Sequence, residues 1–509
     1  MSYEQFRSSV TKDTTDQIHK MLLDPGPALL IADEAHRIKN SQSQLTLAVQ
    51  QIRTRARVCL SGSPIQNNLR EFYCVVDFAC PGYLPPEVEF KTMYTKPIEN
   101  IFSDSSSSDI YIAKKQLFKL QLLSSDIILR CGASVLTQEL PKKTEYFVSC
   151  NLSEFQYKGY VALLRFFKSG AVQESPMINL CVLRAVCNHP SILHQMILNR
   201  HVPRQKQPLS IEDSDTSFDE EMFEMDPRIT GYSEFSELVK RLFEPVQDMT
   251  DMKYSSKIAV IMAIATECRN IHDKLIIVSH SILCLDYLEE LFKTLHFQTL
   301  RIDGSTPASE RQPIIEKFGK DFSKNIMLLS ARAGSLGVNI TSANRMILCD
   351  ADWNPQHEEQ SVGRVYRYGQ TKDVFIYRLY THTTMEHKLL YQSIHKRGLA
   401  SRVVDNEKLS PQDKKEMRKY YALPKPRSES SPTAVHDLLS SIPSDQQDTI
   451  LRNIVQKGQS SNIKDIVLKE TLDHGDTSLL EMELAPRDVV KVKSEVRGYL
   501  QFYYTNRNH

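Results

Sequence analysis

The chain has 509 residues, 41% of them hydrophobic, and carries 63 Lys and Arg against 62 Asp and Glu. That length suits two to four domains with real cores, and the even charge excludes a uniformly basic nucleic-acid binder, so any such surface must be a local patch. Ten cysteines occur without a C-x-x-C pair or zinc-type Cys/His spacing; with no apolar signal segment and no run near the roughly 18–20 apolar residues of a membrane span, a soluble protein with reduced thiols and no membrane partner is expected.

The first strong signal is Leu29-Leu30-Ile31-Ala32-Asp33-Glu34-Ala35-His36. Four apolar residues followed at once by two carboxylates predict a buried strand that delivers acids to the C-terminal edge of a parallel sheet, where α/β proteins keep their ligands. In a nucleotide-hydrolysing lobe the first acid, Asp33, holds Mg²⁺ and the second, Glu34, polarises the attacking water, because phosphoryl transfer needs charge neutralisation and positioning. The same letters also suit a strand end with two solvated acids, so the rest of the chain must decide. None of the 17 glycines opens a G-x-x-x-x-G-K-[S/T] phosphate loop; Gly319-Lys320 is the one Gly-Lys pair, and it lacks both the earlier glycine and the hydroxyl residue.

Arg57-Val58-Cys59-Leu60 then reads as a short strand ending in a Ser61-Gly62-Ser63-Pro64 turn, continued by Ile65-Gln66-Asn67-Asn68-Leu69. Standing after the acidic strand, this resembles motif III of superfamily 2 helicases, and the words Ser-Gly-Ser-Pro-Ile-Gln-Asn-Asn-Leu resemble the Swi/Snf-type DNA-dependent ATPases, the chromatin remodellers and recombination translocases. Ile128-Leu129-Arg130, Leu140-Pro141-Lys142-Lys143-Thr144-Glu145 and Leu183-Arg184-Ala185-Val186-Cys187-Asn188-His189-Pro190 have counterparts between that family's two motor lobes. Cys187 and His189 are read as helix-end packing and capping, not as metal ligands. The Ser-rich run from Ser103 to Asp109 and the acidic stretch within 201–227 read as mobile surface loops.

A helical stretch from Ser256 to about Ile271 precedes apolar runs at 275–281, 300–306, 326–330 and 345–350. Strands alternating with helices at this spacing predict a second doubly wound lobe. Ser330-Ala331-Arg332-Ala333-Gly334-Ser335-Leu336-Gly337-Val338-Asn339 resembles motif V, whose glycines let backbone amides approach a phosphate backbone closely. The run Gln360 to Gln370 resembles motif VI, whose arginines reach across the cleft to the γ-phosphate. Arg364 and Arg367 stand at i and i+3 and share a face if the segment is helical. Tyr366 and Tyr368 make the resemblance nearest to the ATRX-like and recombination-translocase branch. Residues 384–405 resemble the family's helical brace, and there the resemblance ends. Between Ser444 and Gly458 a helix is predicted, with Ser444 as cap, Gln447 completing a capping box, Ile450 paired with Ile454, and Gly458 as the stop.

The resemblance covers roughly residues 1–408 and implies an α/β fold of two RecA-like doubly wound parallel-sheet lobes, the first incomplete, with helical insertions and a mostly helical tail. The expected divisions are a partial first lobe at 1–145, a helical insertion and acidic linker at 146–252, a second lobe with brace at 253–408, and a tail at 409–509. The implied catalytic residues are Asp33, Glu34, Arg364 and Arg367. These four, with His36, Gly337 and Gln360, would contact ATP, and Asp33 would hold Mg²⁺. Ser61, Gly62, Ser279, Ser330, Arg332 and Gly334 would contact double-stranded DNA, and a nuclear role on chromatin or in repair follows. The departure is the missing phosphate loop with its lysine and its Mg²⁺-binding Ser or Thr. Two readings stay open: part of an ATP-dependent DNA translocase, or a non-hydrolysing DNA- or chromatin-binding module derived from one. Residues 253–408 are expected to fold alone, whereas the first lobe should leave apolar surface uncovered.

Overall fold

The computed structural model describes residues 1–12, 16–62, 68–101, 105–131, 139–169, 176–198, 232–243, 251–331, 339–351, 355–404, 423–424, 438–440, 442–469 and 484–507. The acidic stretch within 201–227 lies outside them. The chain divides into two compact units, one drawn from Met1–Cys131, His395–Lys415 and Gly475–His509, the other from Gly132–Ile394 and Glu416–His474.

In the first unit, β1 (Leu30–Ala32) pairs in parallel with β2 (Arg57–Cys59), with Leu30 opposite Arg57 and Ala32 opposite Cys59. The buried strand expected here is covered on one face only. Ala32 packs with Ala35, Ile38, Val49 and Phe78, while Ile31 on β1 and Leu29 just before it are 60% and 52% exposed, and Val58 on β2 and Leu60 just after it are 43% and 48% exposed. A sheet of two strands with its helices on one side leaves the alternate side chains bare. Helix α1 (Leu69–Ala79) starts at Asn68, whose side chain accepts from the Glu71 amide. Helix α2 (Ser107–Ile127) takes up the last three residues of the Ser-rich loop expected at 103–109, of which 103 and 104 lie outside the described residues. The reason is capping chemistry: Ser106 accepts from the Asp109 amide at 3.1 Å, so the Ser/Asp run is a helix start. A C-terminal helix, Pro486–Arg507, lays Val492 and Val496 into the core that α1 and α2 build with Leu69, Phe72, Leu117 and Leu120.

The second unit is built on seven strands: β3 (Lys143–Cys150), β4 (Leu275–Ser279), β5 (Thr299–Ile302), β6 (Ile326–Ser330), β7 (Arg345–Leu348), β8 (Val374–Thr381) and β9 (Ile463–Leu468). Their order is β5-β6-β4-β7-β8-β3-β9, parallel throughout except for the edge strand β9, which runs antiparallel to β3. Helices α3 (Pro176–Asn188), α4 (Pro190–Leu198), α5 (Ser256–Asn270), α6 (Ile282–Thr294), α7 (Ala308–Lys320), α8 (Pro355–Val365), α9 (Met385–Val404, of which the part through Ile394 belongs to this unit) and α10 (Thr449–Gln456) accompany it, together with the helices Glu154–Lys168 and Tyr232–Phe243. Ile277 and Ile347 face one core and Ile276 and Met346 the other, so both sheet faces are covered, as a doubly wound sheet requires.

Three features depart from the sequence reading. Strand β3 crosses the division expected at 145/146, and Leu180, Leu183 and Val186 of α3 share its core, because β3 is inserted between β8 and β9. The tail supplies a strand as well as helices. The tail helix starts later than expected: Ser444–Gln446 is a 3₁₀ turn, and the cap of α10 is Asp448, which accepts from the Leu451 amide. Gln447 instead donates to the carbonyls of Leu439 and Ile442 at 3.1 and 2.9 Å. Ile450 and Ile454 are buried together and Gly458, at φ +72°, follows the helix end, as the pattern indicated.

Candidate functional site

Parallel pairing of β1 and β2 carries Asp33-Glu34 and Ser61-Gly62 to the same sheet edge. The Leu60 amide donates to Ala32 and the Ala35 amide donates back to Leu60, both at 2.8 Å, which locks the two strand ends together. Asp33 and Glu34 are both exposed. The Asp33 carboxylate accepts from the Glu34 amide at 2.9 Å, and the Asp33 carbonyl accepts from the Tyr3 hydroxyl at 2.7 Å. Burial pushes the Tyr3 phenol up to about 12, so it stays a donor. Glu34 adopts a left-handed backbone, φ 49° and ψ 47°, immediately before the 3₁₀ turn Ala35–Ile38. Ala35 and Ile38 are fully buried and pin that turn.

His36 Nδ1 lies 3.2 Å from the Glu34 carboxylate and 3.5 Å from the Ser61 hydroxyl. It therefore links the acidic strand to the Ser-Gly turn, which sequence spacing alone does not reveal. An exposed carboxylate pair of this kind fits Mg²⁺, which takes one or two carboxylates and completes its shell with water and phosphate oxygens.

In the second unit, Ser279 and Ser330 face each other in register at the C-terminal ends of β4 and β6. Both are buried, and Ser279 donates to Asp350 at 3.0 Å. Asp350 also accepts from the His280 amide at 3.2 Å and lies 3.5 Å from the Asn188 amide group. Asn188 accepts from Lys257 at 2.8 Å, and Lys257 binds both oxygens of Glu386 at 2.7 and 2.8 Å. This satisfied buried chain ties α3, α5, β4, the end of β7 and the start of α9 into one piece. Ser279 thus braces the lobe from within. Arg332, Gly334 and Gly337 lie outside the described residues.

Gln360 and Arg364 stand on α8, but the helix stops at Val365, so the condition that Arg364 and Arg367 share a helix face fails: Arg367 is exposed in the turn beyond it. Gln370 shapes that turn, donating to the carbonyls of Ala343 and Val365 at 2.8 and 3.2 Å and accepting from the Thr371 and Lys372 amides. Gly369, at φ +98°, supplies the left-handed step that a side chain resists.

Helix α8 is fastened through its first turns. Buried Arg378 on β8 binds Glu358, Glu359 at 3.1 Å and Glu145 of β3 at 2.9 Å. Lys469, just past β9, binds Glu359 at 3.0 Å and Glu145 at 3.3 Å, and Lys143 binds Glu145 at 2.7 Å while standing 5.3 Å over the Tyr366 ring. Three cations match three carboxylates. Burial alone would raise the Glu145 pKa, but Arg378, Lys469 and Lys143 outweigh it and hold the carboxyl well below its usual range. Sequence reasoning missed this network because its members come from segments some 230 and 320 residues apart.

An acid pair pinned beside a Ser-Gly turn is followed in the chain by a doubly wound lobe with an arginine-bearing helix, an order that agrees with the SNF2-type superfamily 2 proteins. Two families match in that order, the SNF2-related domain over residues 2–192 and the helicase conserved C-terminal domain over 256–369. The chain belongs to the SNF2 family. It is similar to Helicase ARIP4 of Xenopus tropicalis, 32% identical over 76% of this chain and 32% of that protein. The Drosophila melanogaster Transcriptional regulator ATRX homolog is 29% identical over 81% of this chain and 38% of its own length. The DNA repair and recombination protein RAD54-like of Danio rerio is 32% identical over 80% and 51% respectively. The chain thus spans about a third to a half of the length of these relatives. Among solved structures, a Sulfolobus solfataricus SWI2/SNF2 ATPase core in complex with dsDNA is 25% identical over 79% of this chain and 72% of that chain, with a TM-score of 0.36.

Proposed function

We propose that this chain is the DNA-engaging part of an ATP-dependent double-stranded DNA translocase of the nucleus, serving chromatin remodelling or DNA repair. The observation that carries the reading is the link from Glu34 through His36 to Ser61, at 3.2 and 3.5 Å, which connects the proposed nucleotide acids to the proposed nucleic-acid turn. In this reading Asp33 holds Mg²⁺, which when bound neutralises phosphate charge, and Glu34 orients water. Arg364 and Arg367 meet the charge of the phosphoryl group, with Gln360 on the same helix as Arg364, and Ser61, Gly62, Ser330, Arg332 and Gly334 are the assigned contacts of the DNA backbone. Ser279 acts indirectly, through Asp350.

The 509 residues contain no phosphate loop, so this chain by itself is expected to grip duplex while turning over ATP negligibly. Titration of mixed-sequence duplexes at several salt concentrations tests the DNA part. Affinity should be independent of base sequence and fall linearly on a log–log plot, by roughly 0.9 per phosphate contacted. Strong preference for one sequence with little salt dependence would reject it.

A further inference from the structure

The C-terminal helix Pro486–Arg507 lies beyond the matched families, and its charges are sorted by face. Its acids point at α2 and are paired there: Asp488 with Tyr111 and with Lys115 at 3.4 Å, Glu495 with Lys119 at 3.1 Å. The apolar stripe Val492 and Val496 is buried on the same side, Tyr499 donates to the Tyr83 carbonyl at 2.6 Å, and Tyr504 donates to Asp126 at 2.5 Å. The opposite side exposes Arg487, Lys491, Lys493 and Arg497. None of these four has an ion-pair partner among the described residues, although Lys491 stands one turn from Asp488 and from Glu495 at the edge of the face.

We propose that this face is a second duplex-DNA contact, a sequence-independent clamp on the phosphate backbone. This rests on the DNA reading above and extends it to a segment that the family match does not cover. Two lysine–arginine pairs spaced four residues apart place each pair's charges about one turn, or 6 Å, apart along the helix, and the set spans about 15 Å. Over that length a duplex presents about nine phosphates. Val490 and Ser494 lie between the two flanks of cations, and Gly498 lies within the Arg487–Lys491 flank, where it leaves room for a backbone to approach. An apolar protein partner fits less well, since the outward Val490 and Phe502 stand singly, about 18 Å apart along the helix axis. In a chain whose total charge is nearly neutral, four unpaired cations on one rigid helix are the local patch that phosphate binding needs.

The test compares the 509-residue chain with a variant carrying Arg487→Gln, Lys491→Gln, Lys493→Gln and Arg497→Gln, titrated with a mixed-sequence duplex from low to moderate salt. A control removes four exposed lysines elsewhere: Lys91→Gln, Lys96→Gln, Lys240→Gln and Lys317→Gln. Because the substituted side chains face outward, circular dichroism and melting temperature should match the parent. The expected result is at least about tenfold weaker binding at low salt and a salt slope shallower by up to about 3.6 for the helix variant, with a smaller change for the control. Parent-like affinity and slope in the helix variant would overturn the clamp and leave the DNA reading standing, as would an equal loss in the control. Binding by the helix face to polyglutamate in preference to duplex would overturn it in favour of an acidic protein partner. No duplex binding by the parent would overturn both readings.

Discussion

Glu34 holds φ 49° and ψ 47°, a conformation that costs a residue with a Cβ roughly 1–2 kcal/mol. Such strain persists where its surroundings over-determine it, here the buried Ala35 and Ile38 on one side and the β1–β2 pairing on the other. The same turn aims the Glu34 carboxylate at His36. Glu34→Gly should therefore leave the melting temperature equal or higher, the relieved strain offsetting the greater freedom of the unfolded chain, whereas Glu34→Val should lower it. Equal losses for both would show that the backbone is unstrained. His189 makes a pH-dependent contribution of a different kind. Its Nδ1 accepts from the Ser191 amide and Nε2 donates to the Asp251 carbonyl, both at 3.2 Å, and the ring stacks on Tyr287 at 4.3 Å. Burial, opposed by Asp251, pushes its pKa down to about 4, against about 6.5 in an unfolded chain. The unfolded state thus takes up the proton first, so the stabilisation is present above about pH 6.5 and is lost as pH falls towards 4. Thermal melts from pH 7.5 to 4 should fall less steeply for His189→Gln than for the parent, even if the variant starts lower. Parallel curves would remove His189 from the account.

Between residues 438 and 469 the tail behaves as part of the second unit's core. Asp448 caps α10, accepts from the Tyr377 hydroxyl at 2.5 Å and binds Arg345 at 2.9 Å, while Ser444 is exposed. Removing a partner from such a buried pair costs about 3–5 kcal/mol, whereas an exposed serine is worth within about 0.5 kcal/mol. Denaturant melts of Asp448→Ala and Ser444→Ala should differ by that margin, and a larger loss for Ser444→Ala would restore the cap suggested by the sequence. The periodicity of α10 was legible because Ile450 and Ile454 need only one another and a helix. Its start was not, because what selects Asp448 is Arg345 and Tyr377, 103 and 71 residues earlier. Strands β4 to β7 were legible as apolar runs. Strands β3 and β8 carry β-branched and aromatic residues, but Glu145 and Arg378 interrupt them and become compatible with burial only when paired with each other.

At the scale of the whole chain, the second unit's sheet is assembled from segments at 143–150, 275–381 and 463–468. A fragment of 253–408 would lose β3, β9 and the buried Ile450, Leu451, Ile454 and Ile466, so the lobe that looked complete in sequence is not. The acidic strand and the Ser-Gly turn were recognisable as motifs, yet their junction at His36 is a product of strand pairing. The first unit, with Ile31 and Val58 exposed on a two-stranded sheet, presents its acids without a sequence-encoded phosphate cradle among the 509 residues. In the proposed function Asp33 and Glu34 would assist hydrolysis only if a triphosphate were already held, and Arg364 and Arg367 would supply charge without the orientation that makes in-line attack fast. The measurement that bears most directly on this account is phosphate release by the 509-residue chain with and without duplex DNA, run beside Glu34→Gln to expose any contaminating ATPase. The account predicts duplex binding with no DNA-stimulated release above the Glu34→Gln level. DNA-stimulated turnover that disappears in Glu34→Gln would contradict it, and would mean that another segment of this chain forms the cradle.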